Sequence, residues 1–170
     1  MVGVMEKITK MRNGDRIFLV DAMLGNIARK LRLLGFDSEY RSDIDDLKLI
    51  EQAKNEQRII ISKDHDLIAK AKKQDIVSVY VTKKNEIEQF LEILEHVPLE
   101  LNTISGDTAR CTKCNSTTSQ IHKSKVTDKI PERVLEYNDK FWKCDNCNQI
   151  YWDGTHIKKL QEFLHKIKLG

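Results

Sequence analysis

The sequence has no apolar run long enough to cross a membrane, and its first residues, MVGVMEKITKMRNGDR, lack the apolar stretch of a secretion signal. We therefore expect no membrane partner and a cytoplasmic location. Residues 1–15 are polar and form a candidate disordered segment.

An excess of one charge is also missing. A net charge of +3 on 170 residues is too small to establish a polyanionic partner by itself. The basic residues form two groups, one at Arg29, Lys30 and Arg32 and the other at Lys123, Lys125 and Lys129. A solvated surface explains either group as well as phosphate contact does, so the groups only support a function established by other residues.

Cysteine is scarce, and all four cysteines belong to two C-x-x-C pairs: Cys111 with Cys114, and Cys144 with Cys147. Pairs with this spacing can present four thiolates to one zinc ion. Disulfides are disfavoured in the cytoplasm, and a redox motif needs only one pair. Asn115 and Asn148, which follow the pairs, tolerate the left-handed backbone of a metal knuckle. We expect a structural zinc whose four positions are all filled by protein.

The rest of the chain is organised around residues 17–36, IFLVDAMLGNIARKLRLLGF. Four apolar residues lead into Asp21, after which apolar residues recur at helical spacing. Gly35 is the expected helix stop. The pattern predicts a strand that delivers the Asp21 carboxylate to a helix start, where it is either a helix cap or a site residue.

The same arrangement recurs further along the chain. Residues 58–61 predict a second buried strand, and Asp64 and Asp66 follow it before another helical pattern. In an open parallel sheet, ligands bind beyond the carboxyl ends of the strands. Both strands place acids there.

A third acidic group precedes the second helix. Residues 38–41 predict a short strand, and residues 47–55 predict a helix with Asp46 as its N-cap. Asp43 and Asp45 lie in the approach loop and compete with Asp46 for any role in a site. A polar loop with a cap is the alternative interpretation.

Two more elements complete the first domain, a strand at residues 76–81 and an amphipathic helix at residues 85–96. Strands that alternate with helices predict an α/β fold with a parallel sheet flanked by helices. We divide the chain into an N-terminal segment (1–15), this sheet domain (16–97), a linker (98–109) and a small zinc ribbon with a C-terminal helix (110–170).

In the ribbon, residues 141–143 and 150–152 predict paired strands on either side of the second cysteine pair, and a last helix is capped by Thr155. Exposed lysines and aromatic residues of such a domain can contact phosphates and stack on unpaired bases. We therefore expect that the ribbon can assist the binding of a nucleic acid.

Carboxylates at close range repel one another unless a cation neutralises them. Oxygen ligands favour Mg²⁺ or Mn²⁺, and two such ions roughly 3.5–4 Å apart can activate a water and stabilise the leaving oxygen of a phosphodiester. If they converge, the candidate catalytic acids for metal-dependent nucleic-acid hydrolysis are Asp21, Asp46, Asp64 and Asp66.

Basic residues near such a site are expected to hold phosphates. Lys63 lies beside Asp64, and Arg29 lies two helical turns beyond Asp21. Arg32 belongs to the same basic group as Arg29. We name Arg29, Arg32 and Lys63 as candidate substrate-binding residues.

The order of motifs resembles the PIN-like RNase family known as the Mut-seven C-terminal RNase domain. The motifs are VDAMLGNIARKLRLLGFD, D-x-x-L-I-x-x-A from Asp46, RIIISKDHDL, both C-x-x-C pairs, FWKC and YWDGTH. The resemblance implies a PIN-like fold followed by a zinc ribbon, and endoribonuclease activity with Mg²⁺ or Mn²⁺. Position by position, it implies that Asp21, Asp46 and Asp64 are the metal-binding acids and that Asp66 is the fourth acid.

Two other functions stay open. One is a non-catalytic RNA-binding or ribosome-associated adaptor, in which the acids are only helix caps. The other is a toxin-like PIN nuclease with a protein inhibitor, which the appended zinc ribbon argues against.

Overall fold

The structure, a computed structural model, describes residues 6–8, 10–101 and 104–169. The chain divides into two compact units, the first formed by residues 1–31 and 36–100 and the second by residues 32–35 and 101–170. Within the described ranges, no helix is both long and apolar enough to cross a lipid bilayer.

The first unit alternates strands with helices, as its sequence predicts. Its strands are β1 (Phe18–Asp21), β2 (Ser38–Arg41), β3 (Ile59–Ser62) and β4 (Ser78–Tyr80), and its helices are α1 (Gly25–Leu33), α2 (Asp46–Glu56), α3 (His65–Lys73) and α4 (Glu86–His96). All strand pairs are parallel, in the order β2-β1-β3-β4. The predicted parallel sheet flanked by helices is confirmed.

The strand order creates a reversal in the middle of the sheet. The chain leaves β1 towards β2 and then returns past β1 to β3. Right-handed crossovers place α1 on one face of the sheet and α2 and α3 on the other. The carboxyl ends of β1 and β3 therefore flank the position where ligand crevices form in open α/β sheets.

Packing shows which face the ends of these strands share. Leu19 of β1 and Ile60 of β3 lie in one buried cluster with apolar residues of α2 and α3. Side chains alternate along a strand, so Asp21 and Ser62, each two residues further on, face the same side. The β1 and β3 interiors are apolar on both faces because helices cover both, and each buried side chain there contributes about 1.5–3 kcal/mol.

The second unit contains an antiparallel sheet in the order β5-β6-β7. Its strands are β5 (Thr118–Ile121), β6 (Phe141–Cys144) and β7 (Ile150–Trp152), and its helices are α5 (Glu132–Tyr137) and α6 (Thr155–Leu169). The predicted pairing of β6 with β7 and the predicted last helix are confirmed. β5 and α5 were not predicted, because β5 is largely polar and six residues are too few to show helical periodicity.

The N-terminal segment is folded where it is described. Ile8 is buried, and Asn13 exchanges two hydrogen bonds with the backbone of Glu100, both within the first unit. These contacts attach Ile8 and Asn13 to the first unit, and the expected disorder of the segment as a whole stays a prediction. Residues 1–5 and 9 lie outside the described residues.

The expected linker is largely incorporated into the two units. Pro98 accepts a hydrogen bond from Arg16 of the first unit. In the second unit, the indole of Trp142 donates to Asp107 at 2.8 Å, and Thr118 donates to the carbonyl of Gly106 at 2.9 Å. Residues 99–105 lie between these contacts, and of these, residues 102 and 103 lie outside the described part of the chain.

Two apolar residues of the predicted helical patterns at 17–36 and 47–55 are exposed, although such residues are expected to face the core. Met23 is 74% exposed and Leu47 is 71% exposed. Met23 lies in the 3-10 turn Ala22–Leu24, whose three-residue period breaks the predicted helical stripe. Leu47 lies in the first turn of α2, beyond the buried residues of that helix.

Replacing Gly35 with alanine is expected to destabilise the protein. Gly35 has a φ of +92°, and an added Cβ would lie 2.8 Å from the carbonyl oxygen of Thr108. A left-handed backbone alone costs a residue with a side chain about 1–2 kcal/mol, and the clash adds to this. Urea denaturation should show a lower midpoint for Gly35→Ala.

Gly14→Ala is the matched control, because a Cβ at Gly14 meets nothing within 4 Å. Its midpoint should stay close to that of the unaltered chain. Equal midpoints for the two variants would show that Gly35 is not a required helix stop.

Candidate functional site

The hydroxyl of Ser62 connects Asp21 with Asp64. Ser62 Oγ donates to Asp21 Oδ2 at 2.7 Å and accepts the backbone N–H of Asp64 at 2.9 Å. Ser62 is fully buried, Asp21 is half-buried and Asp64 is exposed. The carboxylate of the first predicted acid and the backbone of the third thus share a hydrogen-bond partner at the carboxyl ends of β1 and β3, a region that we call the acidic end of the sheet.

Both acids also act as caps. Asp64 Oδ1 accepts the N–H groups of Asp66 and Leu67 at the start of α3, at 2.8 and 3.1 Å. Asp21 Oδ1 accepts the N–H of Ala22 at 2.6 Å. Capping uses Oδ1 in each residue, so it does not exclude a second role for the same carboxylates.

The acid before α2 differs from the prediction. Asp45, not Asp46, caps this helix, since its Oδ1 accepts the N–H of Lys48 at 3.0 Å. That hydrogen bond is the main reason why the pKa of Asp45 is lowered. The carboxylate of Asp46 is therefore not needed for capping, and it pairs with Lys70 of α3 at 2.9 Å.

The pKa of Lys70 shows that the negative charge of the acids acts on this side chain. A hydrogen bond and the charge of Asp46 raise the pKa of Lys70, and the charges of Asp66 and Asp64 add to the effect. Three predicted acids therefore act on one ammonium group. Lys70 was missed in the sequence, because a contact between two helices 24 residues apart has no local signal.

The last residues of the four strands form a row across the sheet. Arg41 is the register partner of Asp21, and Ser62 is the register partner of Tyr80. The Ser62–Asp21 hydrogen bond joins the two halves of the row. Neighbouring strands lie about 4.8 Å apart, so a cation, an acid, a hydroxyl and an aromatic ring lie within three strand spacings. Sequence reasoning missed Arg41, Ser62 and Tyr80 as site residues, because only the strand order makes them neighbours.

The spacing of the carboxylates limits how they can hold a cation. Across the described ranges, only the four cysteines bring three or more potential ligand atoms within 4.8 Å of one another. Asp21, Asp46 and Asp64 therefore do not form a closed cage. Mg²⁺ is usually bound through one or two carboxylates and keeps several waters, so the oxygen donors at the acidic end fit this type of ion.

The candidate basic residues are placed differently from one another. Arg29 is exposed on α1, and Lys63 is half-buried directly after Ser62. Arg32 is only 6% exposed, and its guanidinium donates to the carbonyl of Thr112 at 2.8 Å. A buried guanidinium that bonds a backbone carbonyl holds the fold together, so the expected substrate contact of Arg32 is corrected.

The second unit brings the four cysteines together. Two Sγ–Sγ distances across the knuckles are 3.6 Å, from Cys111 to Cys147, and 3.4 Å, from Cys114 to Cys144. The asparagines after the pairs have φ angles of 66° and 61°, the left-handed backbone expected of them. Four sulfur donors in a compact group can hold a metal ion such as zinc.

The metal-free thiols show why this cluster favours a cation. Burial raises the pKa of Cys144, and hydrogen bonds with Cys114 and Cys111 raise it further. Burial opposes ionisation of Cys114 too, but hydrogen bonds from Ser116 outweigh it and lower the pKa of that thiol. One thiol of the close pair thus ionises at the expense of the other, and a bound cation is what allows both to be thiolates.

Tyr151 supports the cluster from outside. Its hydroxyl lies 3.0 Å from Cys111 Sγ and 3.3 Å from the hydroxyl of Thr112. A metal-bound thiolate can accept a hydrogen bond but cannot donate one, so the Tyr151 hydroxyl is the donor to Cys111 in the metal-bound state. Partners of this kind orient a ligand and tune its metal affinity.

Removing that hydroxyl is expected to weaken metal binding. In Tyr151→Phe, Cys111 loses a hydrogen-bond donor, and zinc affinity should fall by roughly 10- to 100-fold. Competition with a chromophoric chelator measures this affinity. Tyr137→Phe, at an exposed tyrosine of the same unit, should bind zinc as the unaltered chain does. Equal affinities in the two variants would remove Tyr151 from the metal centre.

A comparison with known protein families identifies the family of the chain. The family model described as Mut7-C RNAse domain matches residues 16–164, a range that includes the acidic end of the sheet and the cysteine cluster. No curated protein matches the chain. The match confirms the resemblance seen in the motifs, and the chain belongs to the Mut7-C RNAse domain family.

Proposed function

We propose that this protein is a PIN-like, metal-dependent endoribonuclease that hydrolyses RNA phosphodiester bonds at the acidic end of its sheet, in the cytoplasm. The observation that carries the proposal is the pair of hydrogen bonds by which Ser62 joins Asp21 to Asp64. Membership of an RNase family supports the reaction class and the RNA substrate.

The acids are the residues that would hold the ion. Asp21, Asp46 and Asp64 offer the oxygen donors that Mg²⁺ and Mn²⁺ prefer, and the exposed Asp66 is the fourth acid. When bound, the ion supplies an activated water and stabilises the leaving oxygen. Ser62 fixes the orientation of the Asp21 carboxylate, and the N-terminal amides of α3 fix that of Asp64.

Cations of the chain bind the substrate backbone. Arg29 and Lys63 are the residues that contact phosphates in this proposal, since each is accessible and positively charged. They position the RNA and do not select a sequence, because phosphates are the same in every nucleotide.

The ribbon contributes to RNA binding through its surface. Phe141 and Trp142 are buried and cannot stack on bases, so the expected stacking would have to come from other aromatic residues of the ribbon. The exposed residues suited to an RNA contact are Lys125, Lys129 and Tyr137. The zinc held by the four cysteines is structural in this proposal, because no coordination position is left open.

The alternative is an RNA-binding or ribosome-associated adaptor without catalysis. The capping bonds of Asp21 and Asp64 favour it, because they account for both acids without any metal. The adaptor predicts salt-sensitive RNA binding with no turnover. Catalysis and capping therefore have to be separated by substitutions that keep the cap.

Asparagine provides that separation, because it caps helices about as well as aspartate but carries no charge. Asp21→Asn and Asp64→Asn should each lower Mn²⁺-dependent RNA cleavage by at least about a hundredfold, since each removes an oxygen ligand with its charge. Melting temperatures and zinc content should change little. Cleavage of a labelled RNA by the purified protein measures the rate.

Asp45→Asn is the matched control. Asp45 caps α2 one residue before Asp46, so the substitution removes a charge from a cap that takes no part in the proposed site. Its cleavage rate should equal that of the unaltered chain. Equal rates in all three variants would indicate a contaminating nuclease and leave the adaptor as the function.

Removing Lys70 is expected to tighten Mn²⁺ binding. Its ammonium group pairs with Asp46 and is stabilised by Asp66 and Asp64, so it competes with a bound cation for the same negative charge. Lys70→Met should therefore raise Mn²⁺ affinity severalfold in titration calorimetry.

Lys73→Met, at the end of the same helix, controls for a general change in charge. Its Mn²⁺ affinity should not differ from that of the unaltered chain. Unchanged or weaker Mn²⁺ binding by Lys70→Met would place the cation site away from Asp46.

A further inference from the structure

Large apolar side chains are exposed around the acidic end of the sheet. Among the described residues, the large hydrophobic side chains with the greatest exposure are Met23, Leu47, Tyr80 and Tyr137. The first lies two residues after Asp21, the second directly after Asp46, and the third in register with Ser62. Three of these four residues thus lie next to residues of the acidic end, either in sequence or in the register of the sheet.

Tyr80 is part of a ring pair that faces solvent. The imidazole of His65 contacts it edge to face, with ring centroids 5.7 Å apart and an interplanar angle of 81°. His65 directly follows Asp64, and its side chain is 76% exposed. The pair is held at the sheet end by two fixed backbones, the last residue of β4 and the first residue of α3. An aromatic pair therefore lies at the start of α3, the helix that Asp64 caps.

The loop after β4 adds positive charge next to this surface. Thr82 donates to the carboxylate of Glu92 through its N–H, at 2.8 Å, and through its hydroxyl, at 2.6 Å. Gln89 donates to the carbonyls of Lys83 and Lys84, both at 3.0 Å. These bonds from α4 fix the loop, and its two lysine residues are exposed. Cations and an aromatic ring together fit a ligand that is both anionic and planar.

We propose that Tyr80, supported by His65, is a stacking platform for an unpaired nucleobase, and that it makes the site selective for single-stranded RNA. Lys83 and Lys84 then lie where they can contact the phosphates beside that base. The proposal rests on the proposed function, because it names the form of RNA that the acidic end would receive.

The chemistry favours this occupant over others. Every nucleobase has a flat π-face that stacks on tyrosine, and this stacking does not depend on sequence. A base in a duplex is already stacked on its neighbours and cannot reach the ring without unpairing. An acidic peptide would satisfy Lys83 and Lys84 but would leave the two rings without a planar partner.

Binding measurements test the platform separately from cleavage. In this assay, the full chain carrying Asp21→Asn is titrated into a fluorescent single-stranded RNA of about 10 nucleotides, and the change in anisotropy gives the Kd. On this background, Tyr80→Leu should raise the Kd about tenfold, since leucine fills space but has no π-face. Tyr80→Phe should bind as tightly as tyrosine does. A blunt RNA duplex should bind all three proteins equally.

A single abasic nucleotide, moved along the RNA, tests contact with the base itself. With tyrosine or phenylalanine at position 80, one position should show about a tenfold loss of affinity. With leucine, the same position should show no further loss, because the partner of the base is already missing. Melting temperatures of the variants verify that each is folded.

Several results would overturn the platform. One is that Tyr80→Leu and Tyr80→Phe bind single-stranded RNA with equal affinity. Another is that Tyr80→Leu loses as much affinity for the duplex as for the single strand. The third is that an abasic nucleotide still lowers the affinity of the Tyr80→Leu variant. The first is also the result expected if this surface binds a protein instead. The proposed nuclease activity is tested by a different result. If the unaltered chain binds RNA through Tyr80 but does not cleave it in Mn²⁺, the stacking proposal stands and the proposed reaction is wrong.

Discussion

The parallel pairing of β1 with β3 is the constraint on which the candidate site depends. It aligns Val20 with Ile61, so the next residues, Asp21 and Ser62, face the same side and form a hydrogen bond of 2.7 Å. Ser62 is fully buried, and a buried hydroxyl without partners would be costly, so both of its bonds stabilise one arrangement. A one-residue slip in register would turn the Asp21 side chain to the other face of the sheet.

The charged side chains of α2 and α3 are arranged around these strand ends. Asp45 takes over the capping of α2, which leaves Asp46 to pair with Lys70, and the same lysine is stabilised by Asp64 and Asp66. The acidic end thus contains its own counterion. In the proposed enzyme, this counterion offsets part of the repulsion between the acids until a divalent ion binds, and the carboxylates do not have to converge into a closed cage beforehand.

Local patterns predicted the local parts of the structure. The strand that ends at Asp21, the helix stop at Gly35 and the left-handed residues after the cysteine pairs each depend on a few adjacent residues. The cap at Asp45 was missed by one residue, because several acids in the loop fit the same pattern. Burial of Arg32 depends on Thr112, 80 residues away, and the roles of Ser62 and Tyr80 depend on strand order. No local signal carries that information.

The central claim is that side chains from distant parts of the chain gather at the acidic end to share a divalent ion. Anomalous diffraction from crystals soaked in Mn²⁺ tests it most directly, because the manganese signal locates the ion without reference to activity. The account predicts an anomalous peak for a manganese ion that is bound by both Asp21 and Asp64 at the carboxyl ends of β1 and β3. Manganese bound only elsewhere, with both carboxylates engaged solely in their capping and Ser62 bonds, would contradict it.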